Sequence, residues 1–246
     1  MKAQGLCVNY GDRAVLRDIT CEIPRGKMVG IIGPNGAGKT TLLKACLGLI
    51  DPIAGEVSLS AQRNQIAYVP QRGTVDWDFP ITALEVALMG RTCKWGPFGR
   101  PRKADREAAQ RALEQVGLGP FADRQIGEFS GGQQQRLFLA RALMQEAELF
   151  LLDEPFTGVD LATEREIVHL LQALRAEGKS IFVVHHDLPT VESYFDWAIL
   201  LNTRLVAAGP VADVFTPELL ARTFGRSQSL FDEAAALSAK RISGLV

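Results

Sequence analysis

The chain has 246 residues, 47% of them hydrophobic and 22% charged, with a formal net charge of −1. That length and apolar content suit one large α/β domain with its own core and leave little room for two full domains. The near-neutral charge removes any global attraction to nucleic acid or to an anionic membrane surface, and no apolar run approaches a membrane span of about 18 residues.

The start, Met1-Lys2-Ala3-Gln4-Gly5, leads into strand-like sequence rather than a secretory leader. Cys7, Cys21, Cys46 and Cys93 are scattered without C-x-x-C spacing, three of them in core-like contexts. They are expected to be reduced thiols of a soluble intracellular protein.

Residues 5–10 alternate towards the turn Gly11-Asp12, and residues 14–23 read as a second strand closed by Pro24-Arg25-Gly26. Tyr10 either places its ring over a bound base or is a buried hairpin tyrosine; spacing alone does not choose. Lys27–Ile32 is short and apolar, a buried strand. It runs into Gly33-Pro34-Asn35-Gly36-Ala37-Gly38-Lys39-Thr40, which fits G-x-x-x-x-G-K-[ST]. A helical pattern follows from Thr41 to Leu49 and stops at Asp51-Pro52. In such a loop the glycines let backbone N–H groups point inward, and the helix N-terminus adds a positive dipole end. Lys39 would reach the β- and γ-phosphates, the Thr40 hydroxyl would ligate Mg²⁺, and Thr41 completes the phosphate-binding set. This stretch marks a nucleotide triphosphate site.

Residues 56–70 read as one further strand region, followed by Gln71. From Arg72 to Pro101 the chain changes character, gathering Trp77, Phe79, Trp95, Phe98 and the prolines 80, 97 and 101. Lys103 to Val116 is an amphipathic helix with Ala108, Ala109, Ala112, Leu113 and Val116 on one face. Ser130 is a good N-cap for the helix that opens Ser130-Gly131-Gly132-Gln133. Two glycines in a first turn cost roughly 1 kcal/mol each. That cost makes sense where a phosphate must approach the backbone closely.

Leu149-Phe150-Leu151-Leu152-Asp153-Glu154 is a buried parallel strand closing on two acids, an electrostatic liability unless a cation sits there. Beside a phosphate loop, Asp153 becomes the Mg²⁺ partner and Glu154 the candidate for polarising attacking water. A helix is expected from about Leu161 to Glu177, then a buried strand at 180–184 running into His185-His186-Asp187. Paired histidines could ligate metal, but neighbours in extended chain point to opposite faces, so only one faces the site. His169 falls among polar neighbours and should be exposed. A hairpin spans 197–209, a helix lies near 217–223, and the tail from Arg226 carries no readable role. Alternating strands and helices around a phosphate loop give an α/β fold with a mostly parallel core sheet. An antiparallel β layer lies N-terminally and a helical segment is inserted after Gln71.

Taken together in this order, these stretches resemble the ATP-binding subunit of an ABC transporter, from Tyr10 to about Gly225. The resemblance implies a single P-loop NTPase domain of the ABC type. Residues 1–72 and 146–225 would form the nucleotide-binding core, 73–145 an α-helical subdomain, and 226–246 a C-terminal tail. It implies that Tyr10 stacks on adenine and that Gln71 touches Mg²⁺ and relays to a membrane partner. Ser130, Gly131, Gly132 and Gln133 match the signature, Asp160 the D-loop, and His186 the switch histidine that holds the γ-phosphate. Phe129 stands where the family usually has leucine. Thr157-Gly158-Val159-Asp160 replaces the usual Ser-Ala-Leu-Asp, a variant similar to the manganese, zinc and iron importer subgroup. Val75 to Pro80, His185 to Leu188 and Tyr194-Phe195-Asp196 point the same way, with manganese first.

The implied partners are a second copy in an ATP-induced homodimer, an integral membrane permease and, indirectly, an extracytoplasmic metal-binding protein, with no nucleic acid. The implied place is peripheral, on the cytoplasmic face of the membrane. A soluble ABC protein of translation or DNA repair would usually carry two modules or a long coiled coil. A GTPase would carry N-K-x-D, which is absent from the sequence.

Overall fold

The computed structural model describes residues 1–71, 76–95 and 99–225. Val75, Phe98 and the 226–246 tail therefore lie outside the described residues. The chain divides into two compact units, one built from Met1–Ser60 together with the residues from Phe182 on, the other from Ala61–Ile181.

The first unit opens with an antiparallel sheet in the order β2-β1-β4, formed by β1 (Lys2–Tyr10), β2 (Arg13–Glu22) and β4 (Ala54–Ser58). Ala3, Leu6 and Val8 of β1 and Leu16 and Ile19 of β2 are buried, as period-two alternation requires. Gly55 is pressed so closely onto β1 that a Cβ there would overlap the Gly5 carbonyl. The unit also holds β3 (Met28–Ile32), every residue of it buried, paired in parallel with β8 (Trp197–Asn202). β8 turns back into β9 (Arg204–Pro210) as an antiparallel hairpin. The last four residues of β7 (Ser180–His185) belong here too, beside β3. Strands covered on both faces read as continuous apolar runs, which β3 and β7 do. Helix α1 (Lys39–Cys46) follows β3 after the loop Gly33–Gly38.

In the second unit, β5 (Ile66–Val69) pairs in parallel with β6 (Leu149–Asp153). Its helices are α2 (Ala83–Met89), α3 (Thr92–Trp95), α4 (Lys103–Gln115), α5 (Gly131–Met144) and α6 (Leu161–Ala176). Ala109, Ala112 and Leu113 of α4, and Val116 after it, are buried, the face the periodicity marks. Thr82 caps α2 reciprocally: its hydroxyl accepts from Glu85 N at 3.3 Å and its own N–H donates to Glu85 Oε2 at 2.8 Å. At Gly90 a Cβ would overlap the Arg141 carbonyl of α5, so only glycine lets those backbones meet.

One expectation changes. Residues 56–70 are not one strand region: Ala54–Ser58 pairs with β1, whereas Ile66–Val69 pairs with β6, with a 3-10 turn at Arg63–Gln65 between them. The stretch Ser60 to Asn64, polar but for Ala61, breaks the apolar pattern, and the two strands have different partners.

Candidate nucleotide site

In the first unit, the loop after β3 is built by glycine geometry. Gly36 and Gly38 have φ of 80° and 96°, the left-handed region that side chains rarely enter. A Cβ on Gly33 would overlap the Leu201 carbonyl oxygen, and one on Gly38 would lie 2.6 Å from Leu16 Cδ2. Ala37 N donates to the Pro34 carbonyl at 3.1 Å, and Thr203 N donates to the Ala37 carbonyl at 2.9 Å, pinning the loop to the β8–β9 turn. Lys39 is 7% exposed, and its ammonium donates to the Gly33 and Pro34 carbonyls at 2.8 and 3.0 Å. The charge thus sits inside the loop's own curve. Asn35 and Gly36 are exposed, Thr40 is half-buried, and Thr41 is buried.

Tyr10 ends β1 and is 50% exposed, so it is not a buried hairpin tyrosine. Its cross-strand neighbour Arg13 reaches towards the loop, with Nη2 4.0 Å from where a Gly36 Cβ would stand. No sequence pattern marks Arg13; a cation stands beside the phosphate loop only once the hairpin is formed. His185, the last residue of β7, is buried, while His186 after it is exposed, as alternation demands. Burial pushes the His185 imidazole down to about 4, opposed by the charge of Asp187. His169 is exposed.

In the second unit, β6 ends at the buried Asp153, and Glu154 follows with φ of 54°, a left-handed backbone for a non-glycine residue. Glu154 Oε2 accepts from Gln71 Nε2 at 3.0 Å and from Thr157 Oγ1 at 3.3 Å. The Tyr68 phenol is pushed up to about 12, by burial first and by the Asp153 carboxylate second.

Ser130 caps α5: its hydroxyl accepts from Gln133 N at 3.4 Å, and Gln133 Oε1 accepts from Ser130 N at 2.9 Å. Gly131 and Gly132 are half-buried in the first turn. A Cβ on Gly132 would stand 3.4 Å from Val159 Cγ1, which brings the Thr157–Asp160 stretch against the signature. Asp160 caps α6, accepting from the N–H and hydroxyl of Thr163 at 2.9 Å each. The N–H bond, then the hydroxyl bond, holds its carboxyl below the usual range. Phe129 is buried edge-on against Phe121, with centroids 6.4 Å apart, so an aromatic fits where leucine is usual.

The structure thus brings Gln71 to Glu154 and the signature glycines to the residues before Asp160. It places Tyr10, Gly33–Thr41 and His186 in the first unit, where β7 and β3 are neighbours. Among the described residues no group of three or more His, Cys, Asp and Glu could hold a metal ion. No described helix is long and apolar enough to cross a membrane.

The ABC transporter family model matches residues 16–157. The chain is 53% identical over 230 residues to the manganese transport system ATP-binding protein MntB of Bacillus subtilis, covering 92% of each. It is 51% identical to the zinc transport system ATP-binding protein TroB of Treponema pallidum, covering 92% of this chain and 86% of that one. Among solved structures, a dimeric ATP-binding cassette in a post-hydrolysis state with ADP and Pi bound superposes with a TM-score of 0.77 at 27% identity. That match covers 85% of this chain and 98% of the other. The loop geometry, the family match and identity near one half along almost the whole length agree: the chain belongs to the ABC transporter family, among its ATP-binding subunits.

Proposed function

We propose that this chain is the ATP-hydrolysing motor of a prokaryotic importer for a divalent transition metal, with manganese first and zinc or iron as alternatives. The observation that carries the ATPase part is Glu154. It follows the buried Asp153 in a left-handed backbone and is held through one carboxylate oxygen by Gln71 and Thr157. A carboxylate so fixed is suited to orienting water for in-line attack on a γ-phosphate. The identity to the manganese relative carries the choice of metal.

In this reading Gly33 to Thr41 hold the phosphates through backbone N–H groups and the α1 N-terminus. Lys39, bonded in the structure to two loop carbonyls, exchanges those acceptors for phosphate oxygens. Tyr10 stacks on the base. His186, exposed at the end of β7, holds the γ-phosphate and attacking water, and Ser130, Gly131, Gly132, Gln133 and Asp160 act on the nucleotide of a second copy. The donor set proposed for Mg²⁺ is hydroxyl, amide oxygen and carboxylate, from Thr40, Gln71 and Asp153. All three are hard oxygen donors, which fit that ion. Mg²⁺ neutralises phosphate charge when bound.

The subunit works as an ATP-induced homodimer on the cytoplasmic face of the membrane, against an integral permease, with an extracytoplasmic binding protein supplying the metal. The transported ion is cargo and is not expected to bind here. Calorimetry with Mn²⁺ and Zn²⁺ on nucleotide-free protein should show no stoichiometric submicromolar site. One that survives Asp153→Ala would overturn that statement. Affinity purification from the native membrane, followed by transport of Mn²⁺, Zn²⁺ and Fe²⁺ in vesicles, tests the whole reading. Recovery without any integral membrane permease would sink it.

A further inference from the structure

By strand alternation, His186 faces the site and His185 faces away from it. The structure gives His185 partners. Its Nε2 lies 2.7 Å from Thr190 Oγ1. The same hydroxyl lies 3.0 Å from the Asp187 carbonyl oxygen and 3.2 Å from Asp187 Oδ2. Ser193 Oγ donates to the Thr190 carbonyl at 2.8 Å, securing the far side of the short turn Leu188–Thr190.

A threonine hydroxyl has one proton to donate. Both Asp187 oxygens are acceptors, so that proton must lie towards Asp187 to avoid lone-pair repulsion. His185 then supplies the other hydrogen bond, from Nε2–H into the Thr190 oxygen. The imidazole is buried between Tyr194 and Phe195, with ring centroids 6.0 and 5.3 Å away, surroundings that favour the neutral form. The result is a directed relay, His185 Nε2–H to Thr190 Oγ–H to Asp187. It clamps both residues that flank His186.

We propose that His185 is a positioning residue which, through the Thr190 hydroxyl and Asp187, fixes the backbone that aims His186 at the nucleotide. This rests on the reading of His186 given above. The relay removes slack on either side of an exposed ring. A misplacement of about 1 Å at a reacting group can cost on the order of 100-fold in rate.

The test is steady-state ATPase of the full chain with Thr190→Val, Thr190→Ser and His186→Ala, and the double variant Thr190→Val/His186→Ala. It is paired with melting curves and ¹⁵N imidazole spectra of the unaltered protein. The expected result is a kcat at least about 10-fold lower for Thr190→Val with KM for ATP little changed, since the fault lies in aim rather than in binding. Thr190→Ser keeps the hydroxyl and should stay near normal. The double variant should be no worse than His186→Ala alone, and His185 should show the Nε2–H tautomer.

If His186→Ala retains full kcat, the reading of His186 fails and this inference falls with it. If His186→Ala is slow while Thr190→Val is normal, or the two losses add in full, the relay alone is refuted. Should Thr190→Val not fold, the spectra still decide: an Nδ1–H tautomer at His185 overturns the relay without any variant.

Discussion

The Gln71 side-chain amide donates to Glu154 Oε2 at 3.0 Å, joining the second residue past β5 to the residue just past β6. Thr157 donates to the same oxygen at 3.3 Å. A carboxylate held this way keeps its orientation when its charge is removed, because glutamine also offers an oxygen to both donors. Glu154→Gln should therefore bind ATP as the parent does while turnover falls by about 100-fold or more, the scale of general-base loss. Equilibrium nucleotide binding and steady-state phosphate release measure the two halves. Near-normal phosphate release would refute the role given to Glu154.

The chain carries one phosphate loop and one Ser-Gly-Gly-Gln stretch, and in the proposed dimer each loop is completed by the other copy. Lys39→Ala and Ser130→Arg should each be inactive alone, while a mixture recovers part of the activity, since some mixed dimers regain one intact site. Sedimentation of Glu154→Gln with Mg-free ATP should show dimers. Monomers at saturating ATP, together with no recovery on mixing, would count against the composite site.

Trp77 and Phe79 lie two residues apart and do different things. The Trp77 ring stands edge-on to Phe138 of α5, with centroids 5.4 Å apart and planes at 78°, whereas Phe79 is 57% exposed and Met89 45%. Trp77→Ala should cost about 2–3 kcal/mol of folding stability, a half-buried aromatic and its edge-to-face pair being lost. Phe79→Ala should leave the melting temperature and isolated ATPase intact while weakening capture by the permease, the behaviour of an exposed apolar anchor. Equal stability losses in the two variants would show that both belong to one packed cluster.

His185 also sets an acid limit on stability. Its imidazole is pushed down to about 4 in the folded chain, by burial first, against an ordinary value of 6.5. Between those values the unfolded chain binds a proton that the folded chain refuses, so stability rises with pH across the window. The contribution is complete above about pH 6.5 and is lost as pH falls towards 4, on the order of 3 kcal/mol over that range. His185→Gln cannot protonate and keeps a donor for Thr190, so its stability should change less between pH 4.5 and 7. Urea unfolding at both values checks this; identical slopes for the two proteins would remove His185 as the cause.

The loop Gly33–Thr40, the cap Ser130, the amphipathic face of α4 and the division between His185 and His186 were legible in the sequence. Each is a local relation, decided within a few residues by glycine conformation, hydrogen bonding to the nearest N–H groups, or strand and helix period. Outside residues 72–101, where α2 and α3 form without a clear apolar period, the sequence also separates strand from helix, because fully buried strands carry continuous apolar runs and surface helices do not. Tertiary structure alone decided that Ala54–Ser58 and Ile66–Val69 serve different partners, that Trp77 packs while Phe79 does not, and that Arg13 stands beside Gly36. It also decided that Gln71 meets Glu154, residues 83 apart in the chain, at a backbone turned left-handed after β6. Such contacts join distant segments through the pairing of β5 with β6, and a pairing between strands leaves no mark on the residues that lie just beyond them.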